Sequence, residues 1–237
     1  MKKKSQFFAA LLAALMLCCA CSAGANVNPR ESGTTVSNTI TAVPMAQQGD
    51  RSGFSDVAPG AWYEDAANWC REQGILDGDT FSPDTEMTRA TVAEALYRSE
   101  GSPEVSAANF PDIPAGSAFA DAAAWASANG VMSGYSSGLF GADDPVTRDQ
   151  MAAILWRYAG EPSVEAGQDF ADEASIAGFA RTAVDWARAN SVINGKDGNR
   201  FDPKGPLTRA QTAAILYRYL TGSESASASG NAPVVYI

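Results

Sequence analysis

Apolar residues recur at helical spacing in three stretches of the chain: Ala66, Trp69 and Cys70; Ala122, Trp125 and Ala126; Ala183, Trp186 and Ala187. The pattern predicts helices over about residues 61–73, 119–129 and 179–190. Gly74 and Gly130 follow the first two as C-terminal stops, and Ser191 stands at that place in the third. A second helix is predicted after each, starting at Thr88, Thr147 and Thr208, all good N-caps. Gln150 and Gln211 sit where a capping box needs them, and Thr91 occupies that place in the first copy. Met151, Ile154, Leu155 and Tyr158 then make one apolar face, as do Ile215, Leu216, Tyr219 and Leu220. A Gly/Asp/Asn-rich turn ending in Phe81, Phe140 or Phe201 joins the two helices.

The chain therefore repeats itself. Trp69, Trp125 and Trp186 recur at offsets of 56 and 61, and Arg89, Arg148 and Arg209 at 59 and 61. The change of offset in the second copy places an insertion at Tyr135–Leu139. Two short helices bury little core alone, so neighbouring units are expected to pack on one another. We expect one all-α domain over residues 51–222, divided into repeats at 51–105, 106–165 and 166–222.

The flanks read differently. Three lysines and an apolar run from Phe7 to Cys21 form a signal peptide over residues 1–21, too short for a comfortable membrane span. Cys18-Cys19-Ala20-Cys21-Ser22 resembles a bacterial lipoprotein signal, with Cys21 as the lipidated residue and the membrane reached through its lipid. Ordinary cleavage after Ala23-Gly24-Ala25 is the competing reading. Either way the chain is exported to the cell envelope. Residues 22–50 read as a flexible linker with a span of about 30 Å, and residues 223–237 as a tail.

Composition narrows the chemistry. Seventeen cations face 27 carboxylates. A basic groove tracking nucleic acid is not expected. The absence of histidine excludes imidazole metal sites and His-dependent nucleophiles. Three of the four cysteines lie in the leader, leaving Cys70 with no disulfide framework. The turns Asp77-Gly78-Asp79 and Asp197-Gly198-Asn199 lack EF-hand spacing, so no metal is assigned. No cofactor is implied.

Phe-x-Asp-Val, the mid-helix Trp, Gly-Ile-Leu-x-Gly, Phe-x-Pro and Met-Thr-Arg-Ala resemble the S-layer homology (SLH) repeat, in that family's usual three copies. The resemblance implies a pseudo-threefold helical spindle. It also implies non-covalent anchoring to an anionic secondary cell-wall polysaccharide, often pyruvylated, in grooves between repeats. In such proteins a Thr-Arg-Ala-Glu segment contributes to the grooves. Here the segments are Thr88-Arg89-Ala90-Thr91, Thr147-Arg148-Asp149-Gln150 and Thr208-Arg209-Ala210-Gln211: the Arg is kept three times and the Glu never.

Arg89, Arg148 and Arg209 are the leading candidates. A cation in the first turn of a helix opposes the dipole, and three such choices suggest another use. Beside free helix N–H groups a guanidinium would suit a sugar carboxylate. The alternative is a salt bridge to Asp84 or Glu86, Asp143 or Asp144, and Asp202. Trp69, Trp125 and Trp186 are expected in the core. Trp62, Phe119 and Phe179 begin the first helices, where they either contact a sugar or pack inward. Asp56, Asp112 and Asp172 either accept from sugar hydroxyls or brace a turn. Gly78, Gly134 and Gly195 are expected to adopt positive φ, and a bare backbone there also admits a ligand. The function expected is a wall-anchoring module; an envelope protein scaffold and a wall-glycan hydrolase are the alternatives.

Overall fold

The computed structural model describes residues 53–165, 167 and 169–222. The signal peptide with Cys21, the linker and the tail lie outside the described residues. Six α-helices are present among those described: α1 Glu64–Glu72, α2 Arg89–Ser99, α3 Ala120–Ala128, α4 Arg148–Tyr158, α5 Arg181–Ala189 and α6 Arg209–Thr221. Two 3-10 turns, Glu173–Ser175 and Gly178–Ala180, precede α5. The described residues contain isolated β-bridges but no strand. None of their helices is long and apolar enough to cross a membrane. The fold is all-α, as the hydrophobic pattern predicts.

Each second helix starts where its threonine places it. Thr88 and Thr208 accept from the N–H three residues on, at 3.3 Å. Gln150 and Gln211 accept from the Thr147 and Thr208 N–H groups at 3.2 Å. The first helices start one to three residues later than the pattern suggests, because Tyr63, Phe119 and Ala180 sit at their N-caps. Ser191 ends α5 with φ 54°, the left-handed conformation that Gly74 and Gly130 adopt after α1 and α3.

The sequence repeat is not the packing unit. Among the described elements α1 does not pack on α2. Instead α2 packs on α3, α4 on α5, and α6 closes the ring by packing on α1. Ala66, Ala67 and Cys70 of α1 and Ala210, Ala213 and Ala214 of α6 are all buried. These small side chains let the backbones approach, so that the Cys70 thiol lies 3.9 Å from the Ala213 carbonyl. The ring has an axis of its own. Met87 N–H donates to Leu207 O (2.9 Å), Leu207 N–H to Val146 O (3.0 Å), and Val146 N–H to Met87 O (2.9 Å). These three equivalent residues are buried, and their closed cycle of bonds is the pseudo-threefold centre.

Aromatic pairs fill the space around it. Phe54–Phe81, Phe110–Phe140 and Phe170–Phe201 repeat one contact within each unit, with ring centroids 5.2, 5.2 and 5.3 Å apart. Trp125 and Trp186 are buried as expected, and each meets a tyrosine at 6.0 Å. Trp69 is half-buried against Tyr217.

Candidate functional site

The three arginines occupy the first position of α2, α4 and α6, and each reaches into the next unit of the ring. Arg89 donates from Nε to Phe140 O (2.9 Å) and from Nη2 to Ser133 O (3.0 Å). Arg148 repeats this toward Phe201 O and Asn194 O, at 2.7 Å each. Arg209 donates from Nη2 to Asp77 O (2.8 Å), and its buried Nε has no partner. Each guanidinium also lies over a phenylalanine of that next unit: Phe140 at 5.2 Å, Phe201 at 5.1 Å and Phe81 at 5.6 Å. Among the described residues none of the three pairs with a carboxylate, so the salt-bridge alternative is not realised. Burial pushes all three guanidinium pKa values down, Arg148 to about 10, and they stay charged at neutral pH.

The expectation of free helix N–H groups beside them is corrected. Arg89 and Ala90 donate to Asp144 O and Ala142 O, at 2.9 and 3.0 Å. Arg148 and Asp149 donate to Gly205 O and Pro203 O, both at 3.1 Å, and Arg209 and Ala210 to Thr85 O and Pro83 O, at 2.8 and 3.0 Å. Carbonyls of the neighbouring turn cap each helix start. An anion near these arginines has to be met by side chains.

Asp56, Asp112 and Asp172 brace the turns. Asp56 accepts from the Phe81 and Ser82 N–H groups at 2.5 and 2.6 Å. Asp112 accepts from Phe140, Gly141 and Ala142 at 2.7–2.9 Å. Asp172 accepts from Phe201 and Asp202 at 2.7 and 2.8 Å. For Asp56 the Phe81 N–H is the main reason the pKa is lowered; for Asp112 and Asp172 burial opposes ionisation and the combined backbone donors overcome it.

Gly78 has the expected positive φ, at 113°. Gly134 and Gly195 do not, which corrects that reading. They are required by close approach instead: a Cβ would lie 2.9 Å from Cε1 of Phe110 or Phe170, and 2.7 Å from Leu139 O in the first case. Trp62 and Phe179 are 46% and 55% exposed, whereas Phe119 is half-buried. Trp62 meets Tyr63 edge-on at 5.3 Å, and Tyr63 stacks on Phe81 at 5.5 Å. An unbroken line of rings thus joins the exposed Trp62 to the guanidinium of Arg209.

Two features were beyond the sequence reading. The Tyr135 ring lies 4.9 Å from the Arg89 guanidinium, and its hydroxyl donates to Asp144 at 2.8 Å. The insertion was visible, but its folding back over Arg89 was not. Asp149 is wholly buried, accepts from Thr147 Oγ1 at 2.6 Å, and pairs with Lys204 Nζ of the next repeat at 2.6 Å. Among the described residues no cluster of three acids or thiols could hold a metal ion.

A family model for the S-layer homology domain matches the chain three times, over residues 53–93, 109–152 and 169–213. The chain belongs to the SLH family. An amylopullulanase of Thermoanaerobacterium thermosulfurigenes is 29% identical over 187 residues, covering 72% of this chain and 10% of its own. The surface-layer 125 kDa protein of Lysinibacillus sphaericus is 26% identical over 185 residues, 74% of this chain and 15% of its own. A cellulosome-anchoring protein of Acetivibrio thermocellus is 26% identical over 151 residues, 60% and 34% of the two chains. The SLH chain thus spans from a tenth to about a third of these relatives. Its three SLH interfaces are not equivalent. Between repeats one and two, Tyr135 covers an Arg89 that is 7% exposed; between two and three, Arg148 is 0% exposed and out of reach of a polymer. Between three and one, Arg209 is only half-buried.

Proposed function

We propose that this protein is an exported wall-anchoring module that holds an anionic cell-wall polysaccharide between its SLH repeats, chiefly at the interface of repeats three and one. Arg209 carries the reading. It is the most exposed of the three arginines, makes one hydrogen bond to protein among the described residues, and has the ring series Phe81–Tyr63–Trp62 leading out to solvent. A guanidinium supplies a planar donor set for a sugar carboxylate, and an exposed indole offers a face for a sugar ring. Membership of the SLH family, and relatives named for surface-layer and cellulosome-anchoring roles, support the assignment. Lipidation of Cys21 would add a membrane tether, with the linker setting its reach.

The test is co-sedimentation with purified sacculi, before and after chemical removal of the secondary polymer. Binding is expected to disappear with the polymer. Arg209→Ala is expected to weaken it by about tenfold or more, the loss of one charge-assisted pairing, and Trp62→Ala by less. Full binding by both variants would overturn the assignment. No pelleting of the wild type would favour a protein partner. Membrane fractionation of Cys21→Ala tests the tether: unchanged partitioning dismisses it.

A further inference from the structure

Asp77, Ser133 and Asn194 share a duty but not a side chain. Each precedes a glycine, and each offers its main-chain carbonyl to an inter-repeat arginine: Asp77 O to Arg209, Ser133 O to Arg89 and Asn194 O to Arg148, at 2.8, 3.0 and 2.7 Å. The Ser133 side chain has no carbonyl carbon to attack. That of Asp77 is a carboxylate tied to Arg98 at 2.6 Å, a poor electrophile. Of the three, Asn194 carries the thermally labile group, an amide whose nitrogen can leave.

The sequence has two Asn-Gly pairs, Asn129-Gly130 and Asn194-Gly195, and both asparagines are exposed. The fold treats them differently. Asn129 Nδ2 donates to Trp125 O at 2.9 Å and the Gly130 N–H to Ser127 O at 3.0 Å, so the end of α3 holds both reacting groups. Among the described residues neither the Asn194 side chain nor the Gly195 N–H has a hydrogen-bond partner. A glycine nitrogen is unhindered by a side chain. Asn194 and Gly195 also line a cavity of about 350 Å³, which gives water access to the pair.

We propose that Asn194 is a site of self-modification, where deamidation to isoaspartate loosens the junction of repeats two and three as the protein ages. The Gly195 nitrogen attacks Asn194 Cγ. A C–N bond forms, the Cγ–Nδ2 bond breaks, and ammonia leaves with the Gly195 proton. Water then adds to the main-chain carbonyl carbon of the cyclic imide and breaks its bond to the Gly195 nitrogen, which takes up a proton. Arg148 already donates to that oxygen, and a fixed cationic donor stabilises the oxyanion formed there. The main chain now runs through Cγ, one carbon longer, and the old carbonyl is a pendant carboxylate. Arg148 grips that carboxylate, and the Gly195 side of the turn is released. Gly195 has no room for the longer path, since even a Cβ would lie 2.9 Å from Phe170 Cε1 and 3.2 Å from Arg200 O.

The full chain, kept for several weeks in mildly alkaline buffer, tests it by peptide mapping. Mass spectrometry reads the exchange of amide for acid, and isoaspartyl methyltransferase labelling reads the isomer. Asn194 is expected to convert severalfold ahead of Asn129, mainly to isoaspartate, and the aged protein to melt at a lower temperature than the fresh. Asn194→Ser, which copies the residue of repeat two, keeps the carbonyl for Arg148 and should melt alike fresh and aged. An intact Asn194, or equal conversion at the two pairs, would overturn the site. Aspartate without isoaspartate would overturn the part given to Arg148. Conversion at Asn194 with an unchanged melting temperature, or an equal fall in aged Asn194→Ser, would overturn the loosening.

Discussion

Arg148 makes no salt bridge among the described residues, though Asp202 and Asp172 favour its charge from a distance, and it is held by two carbonyls and a ring face inside the protein. Buried cations are costly unless their donors are used, and its Nη1 has no partner. The two bonds it does make join repeat two to repeat three. Arg148→Ala should therefore cost about 3 kcal/mol, from two lost charge-assisted bonds and the carbonyls left behind. Arg209→Ala, at a half-exposed position, should cost about 1 kcal/mol. Urea denaturation compares the two, and equal midpoints would reject the clamp. Ser191 presents the opposite case. Its φ of 54° suits glycine better, so Ser191→Gly should raise stability by about 0.5–1 kcal/mol, read as a higher melting temperature.

At the scale of the elements, the helices and their caps were legible because both depend on residues within a turn or two of each other. Thr88, Thr147 and Thr208 announce their helices locally. The partner of each helix was not legible. An apolar stripe shows which face is buried but not what buries it, and here each first helix pairs outside its own repeat. The arginines were legible as odd choices at a helix start, but their carbonyl partners 44–53 residues away, and 132 for Arg209, were not. The bracing by Asp56, Asp112 and Asp172 was one of two stated alternatives, and Asp149 could not be paired with Lys204 from spacing. The closing pair α1·α6 depends on small residues at its contact. Ala213→Leu should overpack it and cost about 1–3 kcal/mol. A stability equal to wild type would mean that the two helices stand further apart than the Cys70–Ala213 contact indicates.

For the whole molecule, the titrating groups that matter to folding are carboxylates. The chain has no histidine. Asp56, Asp112 and Asp172 have pKa values below the ordinary carboxylate range. Groups depressed in this way stabilise the fold fully above their unfolded pKa, and the contribution is lost as pH falls through the folded value. The melting temperature should be flat from about pH 5 to 8 and drop below about pH 4. Asp112→Asn should remove part of that drop. A stability change centred near pH 6 would contradict this account.

The ring also sets an order of events in time. Cys70 of α1 and the Ala213 carbonyl it touches are 143 residues apart. At a synthesis rate of about 5–20 residues per second, α1 exists for roughly ten seconds or more before α6 follows it. The pairs α2·α3 and α4·α5 can form as the chain lengthens, whereas the earliest helix made is the last to find its place. Its waiting surface is mostly small, with Ala66, Ala67 and the Cys70 thiol, and Trp69 beside them as the large ring that Tyr217 of α6 later meets. Until the ring shuts, such a helix leaves mostly small side chains and a single indole uncovered.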